Sequence, residues 1–146
     1  MKKFLISLAL VVAVALGVTA RDSYTHDASV LPEAAKTTIA NNYKAKVSLV
    51  KVDKELGRVD DYEVILTDGS EITFDRQGNW KDVEATRNGS VPSYFVPKGV
   101  SDYVAKTHKG MKIVGIEKER GGYDVELSNG IDIKFDRNGS FVRYDD

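Results

Sequence analysis

The chain contains an internal repeat, and this feature constrains its fold more than any other. Residues 62–80 (YEVILTDGSEITFDRQGNW) align with residues 123–141 (YDVELSNGIDIKFDRNGSF), and nine of the 19 positions are identical. Seven further positions exchange similar residues, such as Glu for Asp or Trp for Phe. Repetition at a period of about 60 residues is typical of chains built from copies of one supersecondary unit. Asp75 and Arg76 therefore recur for folding reasons, and neither is a good candidate for a catalytic group.

The first 20 residues are typical of a secretory signal peptide. Two lysines precede an apolar run over residues 4–18, and a small-residue cleavage site ends at Ala20. The run is shorter than the roughly 20 residues of a membrane-spanning helix. The alternative is an uncleaved N-terminal anchor. We therefore predict a periplasmic or secreted protein that has no membrane association once the leader is removed.

The bulk composition restricts the class of partner. Cleavage would change the net charge from −1 to −3, because Lys2 and Lys3 are lost with the leader. The remaining chain has no basic stripe, so nucleic acid is not an expected partner. It also has no cysteine, so its stability in an oxidising compartment must come from packing rather than disulfides.

The chain is predicted to divide into segments around the two repeats. Residues 21–29 are polar and without pattern, and we expect a flexible arm there. Repeat 1 is assigned to residues 30–84 and repeat 2 to residues 96–146. The linker between them, residues 85–95, contains the Gly, Pro and Ser residues that are typical of turns.

Each repeat is predicted to begin with a helix of about 12 residues. Pro32 and Pro97 mark the two starts, since proline is favoured in the first turn of a helix. Gly110 suits the end of the second helix because glycine tolerates a positive φ. The residues that follow each proline recur at a spacing of four and share one helix face. These residues are Ala35, Ile39 and Tyr43 in the first helix, and Val100, Val104 and His108 in the second.

The remainder of each repeat is predicted to be β structure. First strands are expected over residues 46–53 and 112–118, which are rich in Val and Ile. Second strands alternate apolar and polar residues from Tyr62 and from Tyr123, and this period of two places one face in the core and one in water. An Asp-Gly or Asn-Gly pair then marks a tight hairpin turn. The third strands carry Ile72 and Phe74, or Ile133 and Phe135, and the fourth strands start at Trp80 and Phe141.

These elements predict an α+β fold. Each of two tandem repeats is one helix followed by a four-strand antiparallel meander, with the apolar face of the strands against the helix. We expect the meanders to join edge to edge into one sheet of about eight strands with both helices on one face. Joining would remove two exposed strand edges, which otherwise favour aggregation. We expect a monomer.

The same residues resemble those of the PepSY-like periplasmic proteins, of the type common in Bacteroidetes. The shared pattern is a leader, an apolar-Pro helix, a Tyr-x-Val-x-Leu strand, an Asp-Gly or Asn-Gly turn and a Phe-Asp-x-x-Gly-x-Trp/Phe hairpin. The resemblance covers residues 30–146 and implies a fold similar to that of the β-lactamase inhibitory protein. It also implies no enzymatic activity and an inhibitory or peptide-binding role. This chain departs from the disulfide-bonded inhibitor in having no cysteine.

The residues offer little for catalysis or metal binding. The two histidines are His26, in the predicted arm, and His108, to which we assign a packing or capping role. Zinc needs three or four convergent ligands, so no metal site and no cofactor is predicted. The segments from Asp75 and Asp136 lack the spacing and terminal Glu of calcium loops, and hairpin turns are the better interpretation. With no cysteine and no Gly-x-Ser-x-Gly elbow, the chain is not expected to be an enzyme.

The water-facing side of the predicted sheet, here called the open face, is the candidate binding surface. Ile65 against Glu126, and Thr73 against Lys134, are positions where the repeats diverge and folding symmetry no longer explains the residue. An acidic face would suit a basic peptide or protein, and the alternative is a charged face that serves solubility alone. The candidates are Glu63, Ile65, Thr67, Glu71 and Thr73 in repeat 1, and Asp124, Glu126, Ser128, Asp132 and Lys134 in repeat 2.

Two linker aromatics, Tyr94 and Phe95, form a second candidate surface. Aromatic residues frequently anchor interfaces, but we favour the interpretation that these two fill the seam between the repeats. Taken together, the sequence predicts a non-enzymatic periplasmic binding module for a protein or peptide, with inhibition of a secreted hydrolase as one role. The alternative is a small-ligand-binding or envelope scaffold protein with a pocket at the repeat junction.

Overall fold

The computed structural model describes residues 22–145. The predicted leader, residues 1–20, lies outside the described residues. Within the described residues, no helix is long and apolar enough to cross a membrane. The chain divides into two compact units, with the boundary after Trp80.

The first unit, residues 22–80, contains one α-helix and four strands. A short 3-10 helix at Ala28–Val30 precedes the α-helix. The elements are β1 (Ser23–Thr25), α1 (Glu33–Asn42), β2 (Val47–Glu55), β3 (Arg58–Leu66) and β4 (Glu71–Asp75), and β1, β2, β3 and β4 pair antiparallel in that order.

The core of the first unit consists of one face of α1 and alternate residues of the strands. Ala35 and Ile39 are the buried residues of α1, as the spacing of four predicts. Helix α1 starts directly after Pro32 and carries Glu33 in its first turn, where a negative charge is favourable against the helix dipole. The buried strand residues are Val50, Val52, Val64, Leu66, Ile72 and Phe74.

The second unit, residues 81–145, contains one α-helix and five strands. The first strand of this group begins one residue before the boundary. The elements are β5 (Trp80–Glu84), a 3-10 helix (Ser93–Phe95), α2 (Lys98–Thr107), β6 (Ile113–Glu119), β7 (Gly122–Leu127), β8 (Asp132–Asp136) and β9 (Phe141–Asp145), and β5 to β9 pair antiparallel in that order. Its core residues include Val100 and Val104 of α2 and the strand residues Val83, Ile116, Val125, Leu127, Ile133 and Phe135.

The described strands form one antiparallel sheet in chain order, from β1 to β9. Over residues 22–145 the fold class is therefore α+β, with two α-helices and nine strands rather than the eight strands expected. The extra strand is β1, and it corrects the expectation of a flexible arm over residues 21–29. Because Ser23 and Thr25 pair with Val52 and Val50 of β2, this polar segment is held by backbone hydrogen bonds that no side-chain pattern reveals. The tandem repeat and the placement of both helices on one face stay predictions.

The matched Asp-Arg-x-Gly segments are tight turns, and their aspartates hold the turns closed. Asp75 Oδ1 accepts hydrogen bonds from the backbone N–H groups of Gln77 and Asn79, both at 2.9 Å. Asp136 Oδ1 accepts from Asn138 and Ser140 at the same distances. These contacts explain why the aspartate recurs and confirm the hairpin interpretation of both segments.

Gly78, in the first of these turns, is required for two reasons. Its φ of +89° lies in the left-handed region, where a Cβ is strained. A Cβ at this position would also lie 2.9 Å from the backbone nitrogen of Ala35 and 2.9 Å from Cβ of Pro32. The close approach of this turn to the start of α1 therefore depends on glycine.

We predict that Gly78→Ala destabilises the protein by about 2–4 kcal/mol, as left-handed strain plus overpacking. Gly57→Ala is the matched control, because Gly57 has a φ of +77° but nothing lies within 4 Å of the added Cβ. The control should cost only about 1 kcal/mol, the strain alone. Urea unfolding of both variants measures the difference, and equal losses would show that the approach to α1 is not tight.

Candidate functional site

The open-face candidates lie on adjacent strands within each unit, and the strand register brings most of them into pairs. In the first unit Glu63 lies opposite Thr73, and Ile65 lies opposite Glu71. In the second unit Asp124 lies opposite Lys134, and Glu126 opposite Asp132. These side chains are half-buried, apart from Asp124, which is buried. The face is therefore less solvated than the sequence pattern indicates.

Two of the candidates, Thr67 and Ser128, are exposed and also make hydrogen bonds that support the fold. Each hydroxyl oxygen accepts a hydrogen bond from the backbone N–H of a lysine that precedes the first strand of its meander: Lys46 at 3.2 Å for Thr67, and Lys112 at 3.0 Å for Ser128. The backbone N–H of each hydroxyl residue donates to the carbonyl of the same lysine at 2.8 Å. The Thr/Ser match in the sequence is thus explained by the same local contact, which is made once in each unit.

A lysine organises the charged row of the first unit. Lys51 on β2 lies opposite Glu63, and its ammonium group lies 3.4 Å from Glu63 Oε2 and 3.5 Å from Asp22 Oδ2. Burial lowers the pKa of Lys51, but the carboxylates of Glu63 and Asp22 outweigh it, and the net effect is a raised pKa. Lys51 is not among the residues predicted from the sequence, although its place between the buried Val50 and Val52 puts it on the same face as Glu63.

The carboxyl groups of Asp22 and Asp53 perturb each other's pKa beside Lys51. Their side-chain hydrogen bond is the main cause of opposite shifts: it raises the pKa of Asp53 to about 6 and lowers the pKa of Asp22. Asp53 is therefore protonated only below about pH 6, whereas Asp22 stays ionised against Lys51 to lower pH.

We predict that Asp53→Asn stabilises the protein at pH 8 and has much less effect at pH 5. Because the pKa of Asp53 is raised in the folded state, its carboxyl stabilises the fold fully only at pH values below its ordinary pKa of 3.8. This contribution is lost as the pH rises through about 6. An amide keeps a donor for Asp22 at every pH. The expected gain at pH 8 is about 1 kcal/mol, after a discount for solvent screening.

Urea unfolding at the two pH values measures this gain, with the exposed Asp60→Asn as the control. If Asp53→Asn left the pH dependence of the free energy of unfolding unchanged, that result would contradict the raised pKa of Asp53.

A second lysine organises the charged row of the second unit. The Lys134 ammonium lies 2.7 Å from Asp124 Oδ1, 3.2 Å from Glu119 Oε2 and 3.7 Å from Asp145 Oδ2. Carboxylate oxygens of Glu117, Glu119 and Asp124 lie within 4.8 Å of one another. Since the Asp124 side chain is only 6% exposed, it depends on this cation for charge compensation.

The two charged rows place their cation on different strands. In the first unit the row is Lys51, Glu63 and Thr73 across β2, β3 and β4. In the second unit the row across β6, β7 and β8 is Glu117, Asp124 and Lys134. Where the first row has Thr73 the second has Lys134, and where the first row has Lys51 the second has Glu117. Each row therefore contains one lysine, on a different strand.

We predict that Lys134→Met destabilises the protein by about 2–3 kcal/mol, because it leaves a buried carboxylate without its cation. Lys98→Met is the matched control, since Lys98 pairs with Asp102 at 2.6 Å but both side chains are mostly exposed. The control should change stability by less than about 0.5 kcal/mol. Urea unfolding at neutral pH measures both, and equal effects would contradict the role given to Lys134.

Within residues 22–145, no cation forms an ion pair with the carboxylates of Glu126 or Asp132. They lie opposite each other on β7 and β8. Burial and the nearby Asp132 raise the pKa of Glu126. Burial and the carboxylates of Asp124 and Asp145 raise the pKa of Asp132, whose Oδ1 is buried without a hydrogen-bond partner. Like charges directly opposite on antiparallel strands are destabilising, so this pair has unmet demand for positive charge.

The linker aromatics separate in the structure. Tyr94 is 62% exposed, whereas Phe95 is 1% exposed and belongs to the core of the second unit. The rings contact edge to face with centroids 5.1 Å apart. Tyr94 alone therefore presents aromatic surface.

A shallow groove of about 630 Å³ lies along α2 in the second unit. Its apolar lining includes Val91, Val96, Val104 and Met111, and His108 and Lys109 lie at its rim. Both histidines of the chain make structural contacts: His108 Nε2 lies 2.9 Å from the Tyr144 hydroxyl, and His26 Nδ1 lies 2.7 Å from the carbonyl of Ser48.

Comparison with known proteins gives one family and several similar structures. A family model described as "Putative beta-lactamase-inhibitor-like, PepSY-like" matches residues 60–143. A Bacteroides vulgatus structure described as "a putative periplasmic protein of unknown function" is 37% identical with a TM-score of 0.80, over 86% of this chain and 99% of that chain. No curated protein matches the sequence.

Two further structures are similar over most of their length. A Bacteroides thetaiotaomicron protein described as "a putative calcium-regulated periplasmic protein" is 30% identical with a TM-score of 0.77, over 86% of this chain and 97% of that chain. A second Bacteroides vulgatus protein, described as "a putative periplasmic protein", is 32% identical with a TM-score of 0.76, over the same shares.

Proposed function

The chain belongs to the PepSY-like family, and from this premise we propose that it is a non-enzymatic periplasmic module that binds a basic segment of a protein or peptide. The binding surface is the part of the open face formed by β7 and β8. The similar solved proteins are described as periplasmic, which supports the compartment.

The Glu126–Asp132 pair is the observation that carries this proposal. Two half-buried carboxylates face each other, the pKa of each is raised, and Asp132 Oδ1 has no hydrogen-bond partner. A guanidinium or ammonium group bound beside the pair would supply the missing positive charge. Arginine suits the position better than lysine, because its planar fork can donate to two carboxylates at once.

The lysine of the same face does not meet this demand. Lys134 is held by Asp124, Glu119 and Asp145, and the pKa of Asp132 stays raised despite it. Glu126 and Asp132, with the nearby carboxylates of Asp124 and Asp145, would therefore attract a cation from a binding partner.

The partner class that we propose is a secreted hydrolase, inhibited by steric occlusion. The family description, which is β-lactamase-inhibitor-like, supports this class. Occlusion needs no catalytic group from this chain, only a surface that covers the entrance to the hydrolase's active site. A stable complex of this kind buries about 800 Å² on each partner.

Small-ligand binding is the second candidate function, and the groove along α2 favours it. Its volume of about 630 Å³ falls within the range of known small-molecule sites. The lining is mainly apolar with a few polar groups at the rim, which is the usual composition of such sites. A thermal-shift screen of small molecules tests this candidate independently of the open face.

Calcium regulation, which is ascribed to the similar Bacteroides thetaiotaomicron protein, does not fit the residues of this chain as they lie. The carboxylates of Glu117, Glu119 and Asp124 cluster closely enough for a cation, but the Lys134 ammonium already bonds Glu119 and Asp124 at this place. Calcium takes six to eight oxygen ligands, and a lysine among them supplies positive charge instead. We therefore propose that this face takes a cationic side chain rather than calcium.

We predict that the protein binds a hexa-arginine peptide and that Glu126→Gln/Asp132→Asn weakens the affinity by at least roughly tenfold, the equivalent of one lost charged contact. Fluorescence anisotropy with labelled peptide measures the dissociation constant. A hexa-glutamate peptide of the same length should not bind.

The matched control is Glu33→Gln/Glu55→Gln, which makes the same change in net charge at two exposed positions of the first unit. This control should bind hexa-arginine within about twofold of the wild type, since exposed charges are screened. If both double variants lost affinity for hexa-arginine equally, binding would depend on net charge alone. That result would contradict a defined site at Glu126 and Asp132.

A further inference from the structure

Strand β9 carries an exposed apolar edge. It pairs with β8 and lies at the end of the strand order. Phe141, Val142 and Tyr144 are 39%, 53% and 44% exposed, and they stand together on one short strand. Exposed apolar strand edges are ready templates for pairing with another chain, and clustered exposed apolar residues mark interaction sites.

The aromatic residues of this edge are held in a fixed arrangement. The Phe141 ring stacks on Tyr103 of α2, with centroids 4.8 Å apart and an interplanar angle of 8°. The Tyr144 hydroxyl lies 3.1 Å from that of Tyr103 and 2.9 Å from His108 Nε2. A surface that is already ordered loses little side-chain entropy on binding, which favours its use as an interface.

The edge is regular over its last three residues only. The register of β8 and β9 shifts between the Lys134–Arg143 and Phe135–Phe141 pairs, so Val142 is an extra residue. Such bulges disrupt the pairing of a strand. Residues 143–145 therefore form the segment that an added strand can pair with.

The charges of this segment are complementary to a second copy of itself. Arg143 and Asp145 flank Tyr144 and carry opposite charges. If two copies of β9 pair antiparallel about Tyr144, Arg143 of each copy lies opposite Asp145 of the other. Opposite charges at directly facing positions stabilise an antiparallel pair. This register places one Arg–Asp pair on each side of a Tyr144–Tyr144 contact.

We propose that β9 is a self-association edge through which two copies of this chain pair antiparallel, centred on Tyr144. Such pairing closes on itself by two-fold symmetry, so it yields a dimer rather than a fibre. Three paired residues bury much less area than a standard interface, so the dimer is weak, with a dissociation constant of roughly 0.1 mM. The inference concerns the backbone edge of β9 and does not rest on the binding proposed for Glu126 and Asp132, although Asp145 lies opposite Asp132.

The test mixes two charge variants of the chain, Arg143→Asp and Asp145→Arg. Each variant places like charges opposite each other in its own dimer, and each also loses the internal Arg143–Asp145 ion pair at 3.3 Å. Only the mixed dimer pairs Asp with Arg at both facing positions. Sedimentation equilibrium should therefore show weak self-association of the wild type, at least roughly tenfold weaker association of each variant alone, and recovery in the equimolar mixture.

Two results would overturn the proposal: a wild type that stays monomeric at millimolar concentration, or a mixture that associates no better than its components while the wild type dimerises. Backbone amide exchange supplies a readout that needs no substitution. An amide among residues 143–145 should be better protected in concentrated than in dilute wild-type protein. Asp60→Asn, at an exposed position of β3, is the control and should leave the association unchanged.

Discussion

Half-buried carboxylates on a strand face need a cation, and one lysine in each unit supplies it. Lys51 lies between Glu63 and Asp22 in the first unit, and Lys134 between Asp124 and Glu119 in the second. A buried charge that loses its partner is far more costly than an exposed one. The position of each lysine therefore decides which carboxylates of the face have their negative charge balanced.

The function proposed for the chain lies where this balance stops. Glu126 and Asp132 are two strand positions away from the Asp124–Lys134 pair, on the same face of the strands, yet their pKa values stay raised. Burial and the neighbouring carboxylates both disfavour the charged forms of this pair. A basic partner would remove the same repulsion, so the energy that this pair costs the free protein becomes available to binding. This makes the carboxylate pair, rather than the face as a whole, the centre of the proposed site.

Much of the fold follows from local patterns, because helix faces and tight turns are specified by neighbouring residues. The spacing of Ala35 and Ile39 predicts the buried face of α1, and the Asp75 turn follows from a side chain that bonds its own backbone. Strand β1 was not predictable in this way, since it is polar and its backbone bonds join it to residues far along the chain. The same limit applies to the site: Glu126 and Asp132 were identified from the alternation, whereas their raised pKa values depend on burial and cross-strand neighbours that no single segment shows.

The account is tested most directly by a ¹³C-NMR titration of the side-chain carboxyl groups of Glu126 and Asp132, in the free protein and with hexa-arginine bound. In the free protein both titration midpoints should lie above the ordinary values for glutamate and aspartate, and both should fall when the peptide supplies positive charge. Midpoints at or below the ordinary values in the free protein would mean that the pair is already compensated. That result would contradict the claim that its unmet charge is what a partner recognises.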